Sequence, residues 1–348
     1  MATSSWVGGL KLVVAGFGSV GRGLISLILE RSLWRELRVV AVIDSRGAAV
    51  EPAGFSGRGL EELLSLPRGG VSRASTGRPG WGLEEVLDHV DADVLVELTP
   101  SDYETGGPGL RHVRAALARG LHVVTANKGP LVVAGDELIR EARARGLELR
   151  FRATVMGGTP LIPLVAAIRH SVLEVEGVLN ASTNFLLSRV EEGASFSEAL
   201  EEARGLGVLE ADPRLDLEGV DPAAKLCILA LVLGHRLKLE EVVREPLGPG
   251  VEGEVREAGA RGLKVRYVAH LEARGRVRGE VRLRRMPPGD ALAMAKGLEN
   301  IVKVRTRENE VVLKGLGGGG RATAEGVLED ILAVYENLFK PRALTERA

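Results

Sequence analysis

A chain of 348 residues, 45% hydrophobic and 27% charged, holds enough apolar material for a sizeable core and for more than one domain. Its formal net charge of -1 lacks the basic excess that nucleic acid or an anionic membrane calls for, so neither is expected as a partner. A single cysteine, Cys227, excludes an intramolecular disulfide framework and a multi-cysteine zinc site; with no basic segment and apolar run at the N-terminus, the cytoplasm is the expected compartment.

Lys11 to Ala15 reads as a short buried strand, after which Val20, Leu24, Leu27 and Ile28 recur at helical spacing. Leu37 to Ile43 has no polar alternation and fits a parallel strand covered on both faces, closing a βαβ unit at Asp44. From Ser45 to Gly82 glycines, prolines and arginines accumulate, so a loose excursion is expected, with one helical patch at Leu60 to Leu66. Leu83 to His89 reads as a helix, Val94 to Leu98 as a strand, Leu110 to Arg119 as a helix stopped by Gly120, and His122 to Thr125 as a strand. This alternation predicts an α/β fold with a Rossmann-type doubly wound parallel sheet over residues 1–150.

After a helix near Glu137 to Arg145 the pattern changes. Strands are expected at Leu147 to Val155 and Ser171 to Val178, and later at Leu263 to Ala273, Arg276 to Leu283, Asn300 to Thr306 and Glu310 to Lys314. They predict a second, mixed α+β domain for substrate binding and dimerisation over residues 151–315, with a sheet face too apolar to stay wet. Leu226 to Gly234 is far shorter than the roughly 20 residues of a membrane span and reads as a core helix. An amphipathic helix at Ala324 to Phe339, within residues 316–348, is expected to return to the first domain.

Gly16-Phe17-Gly18-Ser19-Val20-Gly21 is a G-x-G-x-x-G pattern directly after a strand and opening a helix. Gly16 permits the tight turn, Gly18 lets backbone approach a pyrophosphate, and Gly21 allows close packing of the helix. Asp44 ends the next strand, where an acid accepts hydrogen bonds from the ribose of NAD; Arg46, beyond Ser45, could instead pair with the 2'-phosphate of NADP. Asp44 could also simply cap a turn, and the cofactor stays NAD(P). Thr99-Pro100 and Lys128 follow parallel strands, at the edge where such sheets bind ligands, so Lys128 is expected to face nicotinamide and substrate rather than solvent.

Between Gly207 and Lys225 five acids, Glu210, Asp212, Asp216, Glu218 and Asp221, crowd one lysine. Asp221-Pro222 reads as an N-cap followed by proline at the first helical position, which puts Lys225 in the first turn of an apolar helix. The positive end of that helix disfavours an ammonium, so the neighbouring acids must hold it. Lys225 is then either a positioned proton donor or an ordinary i,i+4 partner of Asp221.

Over nearly its whole length the chain resembles the homoserine dehydrogenases. The resemblance runs from the glycine turn through Thr-Ala-Asn-Lys-Gly-Pro-Leu at 125–131 to Asn180-Ala181-Ser182-Thr183-Asn184 and the 209–225 acid cluster, the most specific of these segments. It implies NAD(P)-dependent interconversion of L-aspartate 4-semialdehyde and L-homoserine, a step in threonine, methionine and isoleucine biosynthesis, by a homodimer. Lys225 would donate the proton and Lys128 would stand beside the reacting carbon; Glu210, Asp216, Asp221 and Ser182 would bind substrate, and Gly318 and Gly319 would lie near the nicotinamide. Arg152 replaces a glutamate that in the family helps bind a sodium-like cation, leaving the backbone carbonyls of Val155, Gly157 and Thr159 as donors. Ala181-Ser182 stands where Gly-Thr is commoner. The resemblance ends with the dehydrogenase core, so threonine feedback through a C-terminal sensing domain is not expected. An aspartate dehydrogenase, or a non-catalytic NAD(P)-binding sensor on the same fold, is the alternative; the acid cluster argues against the first and the two lysines against the second.

Overall fold

In the computed structural model, which describes residues 9–209 and 212–339, the first two apolar runs lie side by side as parallel strands β1 (Leu10–Ala15) and β2 (Leu37–Asp44), joined by helix α1 (Ser19–Glu30). Helix α1 turns Leu24, Ile25, Leu27 and Ile28 onto the sheet, and each such buried side chain contributes about 1.5–3 kcal/mol. The chain continues through β3 (Gly47–Val50), α2 (Gly57–Ser65), β4 (Gly77–Pro79), α3 (Leu83–Leu87), β5 (Val94–Glu97), α4 (Gly107–Ala118), β6 (His122–Thr125), α5 (Gly129–Ala144) and β7 (Leu149–Arg150). The sheet order is β4-β3-β2-β1-β5-β6-β7, parallel from β2 to β7.

Two expectations change here. The stretch 45–82 is no loose excursion: β3 pairs antiparallel with β2, and β4 with β3, so Ala48 and Ala49 are fully buried. Strands of three or four residues carry too little pattern to be seen in sequence. The strand expected to reach Val155 stops at Arg150, where a 3₁₀ turn at Arg152–Thr154 takes over.

The chain divides into two units, one built from residues up to Thr154 and from Gly319 onward, the other from Val155 to Gly318. Helix α12 (Gly320–Phe339), the last element described, belongs to the first unit, where Ala324, Val327, Leu328 and Ile331 enter the same core as α1. Arg152 is fixed there too, its backbone N–H and Nε donating to the buried Asp330 at 2.8 and 3.1 Å.

The second unit contains α6 (Leu161–Ala167), β8 (Glu174–Val178), α7 (Ala181–Glu191), α8 (Phe196–Gly205), α9 (Arg214–Leu217), α10 (Val220–Val232), β9 (Val243–Arg244), α11 (Val251–Ala260), β10 (Lys264–Glu272), β11 (Arg278–Met286), β12 (Glu299–Arg305) and β13 (Glu310–Leu316). Its sheet runs β13-β12-β8-β10-β11-β9, and α10 packs on β10 and β11. The face expected to be apolar is in large part an ion-pair lattice. Arg305 meets Glu174 at 2.9 Å, Lys303 meets Glu176 at 3.1 Å, and Arg284 reaches Glu176 and Glu280. Glu174, Glu176 and His270 bring possible metal-ligand atoms within 4.8 Å of one another, but these cations already neutralise both carboxylates. Exposed apolar side chains lie toward the sheet's edges, at Val243, Val312 and Leu316. Among the described residues no helix is long and apolar enough to cross a membrane.

Candidate active site

In the first unit, strand β1 delivers the chain into a turn that only glycine tolerates. Gly16 has φ +107°, and a Cβ there would stand 2.5 Å from the carbonyl carbon of Leu98. A Cβ at Gly18 would meet nothing within 4 Å, and Gly18, the N-cap of α1, offers the helix no side-chain cap. An uncapped helix N-terminus facing open space is a place where a pyrophosphate fits. Phe17 is buried beneath the Arg22 guanidinium, 4.8 Å from its ring centre, and Val20 packs on the core. Ser19 Oγ accepts from Arg68 at 2.7 Å.

Asp44 uses both oxygens on backbone: Oδ1 accepts from Arg46 N at 2.8 Å and Oδ2 from Val71 N at 2.9 Å. Its turn-capping role is therefore real, and the lone pairs left over are what a ribose could use. Ser45 and Arg46 are exposed, with the Arg46 side chain lying against Gly69. Arg68, which reaches the glycine turn through Ser19, is not legible in the sequence, because a lone loop arginine in a polar stretch carries no pattern.

At the carboxyl ends of β5 and β6 the loops lace together. Thr99 N donates to Glu97 Oε1 at 3.2 Å, as does its hydroxyl, and the Asn127 amide donates to Thr99 Oγ1 and the Pro100 carbonyl at 3.2 and 3.3 Å. Lys128 N donates to Ser101 Oγ at 3.1 Å, fixing Lys128 at the start of α5.

In the second unit Lys225, Asp221 and Asp216 are all buried, with 6%, 5% and 2% exposure. Lys225 Nζ lies 2.7 Å from Asp221 Oδ2 and donates to the Leu179 carbonyl at 2.5 Å. That burial removes the reading of Lys225 as one half of a solvated surface pair. Asp221 is not the N-cap. Gly219, with φ +71°, takes that place, and Asp221 sits inside the first turn with its carboxylate spent on Lys225 and Asn180. Ser182 Oγ donates to Asn180 Oδ1 at 2.8 Å. Asn180 itself, which binds Asp216, Asp221 and Ser182, opens a segment that carries the resemblance but takes no role from the sequence, since nothing in its spacing marks it as shared. Glu210 lies outside the described residues.

Gly318 and Gly319 directly precede α12, and Gly318 has open space at its Cβ position. Met156 and Gly157 turn the chain with φ +63° and +54°, and the Thr159 carbonyl accepts from Leu161 N at 2.8 Å.

The family model for homoserine dehydrogenase matches residues 160–332, and that for its NAD-binding domain matches residues 16–152. The homoserine dehydrogenase of Methanocaldococcus jannaschii is 34% identical, with 95% of this chain and 100% of that protein covered. An NAD(+)-dependent homoserine dehydrogenase of Pseudomonas canavaninivorans is 32% identical over 96% of this chain and 99% of its own. Among solved structures, a hyperthermophilic archaeal homoserine dehydrogenase in complex with NADPH aligns with a TM-score of 0.79 at 32% identity, covering 96% of this chain and 99% of that one. Matched from the glycine turn through the acid cluster, the chain belongs to the homoserine dehydrogenase family of NAD(P)-dependent oxidoreductases.

Proposed function

We propose that the chain interconverts L-aspartate 4-semialdehyde and L-homoserine with NAD(P), and that Lys225 is the proton donor. The observation that carries this is a buried ammonium on two acceptors, the Asp221 carboxylate and the Leu179 carbonyl. A bound nicotinamide supplies the hydride to the aldehyde carbon, or takes it back from homoserine. As charge develops on the aldehyde oxygen, the Lys225 ammonium stabilises it and gives it a proton. Asp221 holds the lysine through that transfer, and in the reverse direction the neutral amine takes the hydroxyl proton. Asp216 and Asp221, with Glu210, hold the substrate's amino group, and Ser182 is a further substrate-binding residue.

The cofactor would lie with its pyrophosphate at Gly16 to Gly21, its ribose at Asp44 and Ser45, and its nicotinamide near Thr99, Pro100, Lys128, Gly318 and Gly319. The open space at Gly18 and the uncapped start of α1 support that placement. Arg68, bonded to Ser19 on the turn, and Arg46, two residues beyond Asp44 with its side chain beside Gly69, favour NADP over NAD. For a sodium-type cation the donors are the carbonyls of Val155, Gly157 and Thr159. Arg152 adds no negative charge to them, and its guanidinium is committed to Asp330.

The cytoplasm remains the compartment of choice, supported by the lone buried Cys227. A homodimer is supported by the family resemblance, with exposed Val312 and Leu316 on β13 as apolar contacts; light scattering at twice the chain mass is expected. The activity is tested by NAD(P)H absorbance with L-homoserine or L-aspartate as substrate. Turnover with homoserine alone is expected, and turnover with aspartate alone would reject the assignment.

A further inference from the structure

Asn180 stands between the end of β8 at Val178 and the start of α7 at Ala181, and its side chain binds in two directions. Its Oδ1 accepts from Thr183 N at 2.9 Å and from the hydroxyls of Ser182 and Thr183 at 2.8 and 2.9 Å, which makes it the N-cap of α7. Its Nδ2 donates to Asp216 Oδ1 at 2.7 Å and to Asp221 Oδ2 at 2.9 Å. An amide nitrogen has two N–H groups, and both end on buried carboxylates from separate helices. The Asp221 oxygen bound by Asn180 is the one that meets Lys225, and the lysine's other acceptor, Leu179, is the neighbour of Asn180 in sequence.

Two carboxylates brought this close out of water repel each other, and a second cation between them would compete with Lys225 for Asp221. A neutral amide that points two N–H groups at them eases the repulsion without adding charge. We propose that Asn180 is a positioning residue for the reaction: its amide nitrogen sets Asp216 and Asp221 so that Asp221 and Leu179 hold the Lys225 ammonium in place. This rests on the reading of Lys225 as proton donor. Capping and positioning are carried by different atoms of one side chain, so mutation separates them.

Asn180→Ser keeps an oxygen at the cap and loses the donor pair; Asn180→Ala loses both. Expected is a graded melting temperature, parent above Ser above Ala, but a common loss of kcat, at least about tenfold in both variants. The solvent deuterium isotope effect on kcat should rise in Asn180→Ser, because a displaced lysine makes proton transfer slower. A smaller folded fraction would not change that ratio. NADPH affinity by fluorescence should equal that of the parent. If Asn180→Ser turns over like an active parent, or loses kcat with an unchanged isotope effect, the positioning role is overturned while the function stands. A parent inactive on L-homoserine would overturn both.

Discussion

A methyl group on Gly21 would stand 2.2 Å from the carbonyl oxygen of Gly16, whereas one on Gly18, between them, would touch nothing within 4 Å. The two substitutions should therefore fail in opposite ways. Gly21→Ala forces backbone apart and should cost about 1–3 kcal/mol of stability, as overpacking does. Gly18→Ala should keep its melting temperature, yet weaken NADPH binding at least about tenfold, because its methyl group occupies the space a phosphate would approach. Thermal melts and fluorescence titration of both variants check this; a Gly18→Ala protein with full NADPH affinity would displace the cofactor from the turn.

The proposed preference for NADP rests on the arginines. Removing Arg46 or Arg68 should lower kcat/KM for NADP by about tenfold or more, the worth of one charge-assisted hydrogen bond, and leave NAD nearly unaffected. Steady-state rates with both cofactors provide the comparison. An equal loss with each would mean that the arginines only support the loop.

Asp330 is buried, and burial pushes its carboxyl above the usual carboxylate range against the pull of Arg152. Asp330→Ala leaves that guanidinium with only a 4.0 Å contact to Glu329 and should cost about 3 kcal/mol, the low end for a broken buried pair, since Arg152 is partly exposed. Urea denaturation would measure it, with a loss below about 0.5 kcal/mol, the range of ordinary surface changes, counting against the pair.

His122 accepts the Glu148 N–H on Nδ1 at 3.0 Å, and burial holds its pKa below 6.5, outweighing Glu148 and Asp93. Below about pH 6.5 the unfolded imidazole takes up a proton that the folded one resists, so stability present above that pH is lost as pH falls toward the folded value. The melting temperature of the parent should therefore drop more steeply on acidification than that of His122→Gln. Parallel slopes would contradict it.

Gly16 to Gly21 and the Asp221–Lys225 pair are readable in the sequence because each is local: a turn needs its glycines in order, and a helix turn sets Asp221 against Lys225. Asn180 is not readable in that way. Its partners Asp216 and Asp221 lie 36 and 41 residues on, and only the packing of α7 beside α9 and α10 makes one amide serve both. Strands β3 and β4 escape for a different reason, since Gly47 to Val50 and Gly77 to Pro79 are too short to show a period. Placing the N-cap at Asp221 rather than Gly219 follows from a preference that is sound for exposed helix ends. Here the acid has a stronger partner in Lys225.

Lys225→Ala, assayed for L-homoserine oxidation alongside NADPH binding, bears most directly on the buried ammonium as proton donor. Turnover should fall by about 10²–10⁴, the usual worth of general acid–base catalysis, with cofactor affinity and fold retained. A folded, cofactor-binding Lys225→Ala protein that turns over at the parental rate would contradict it.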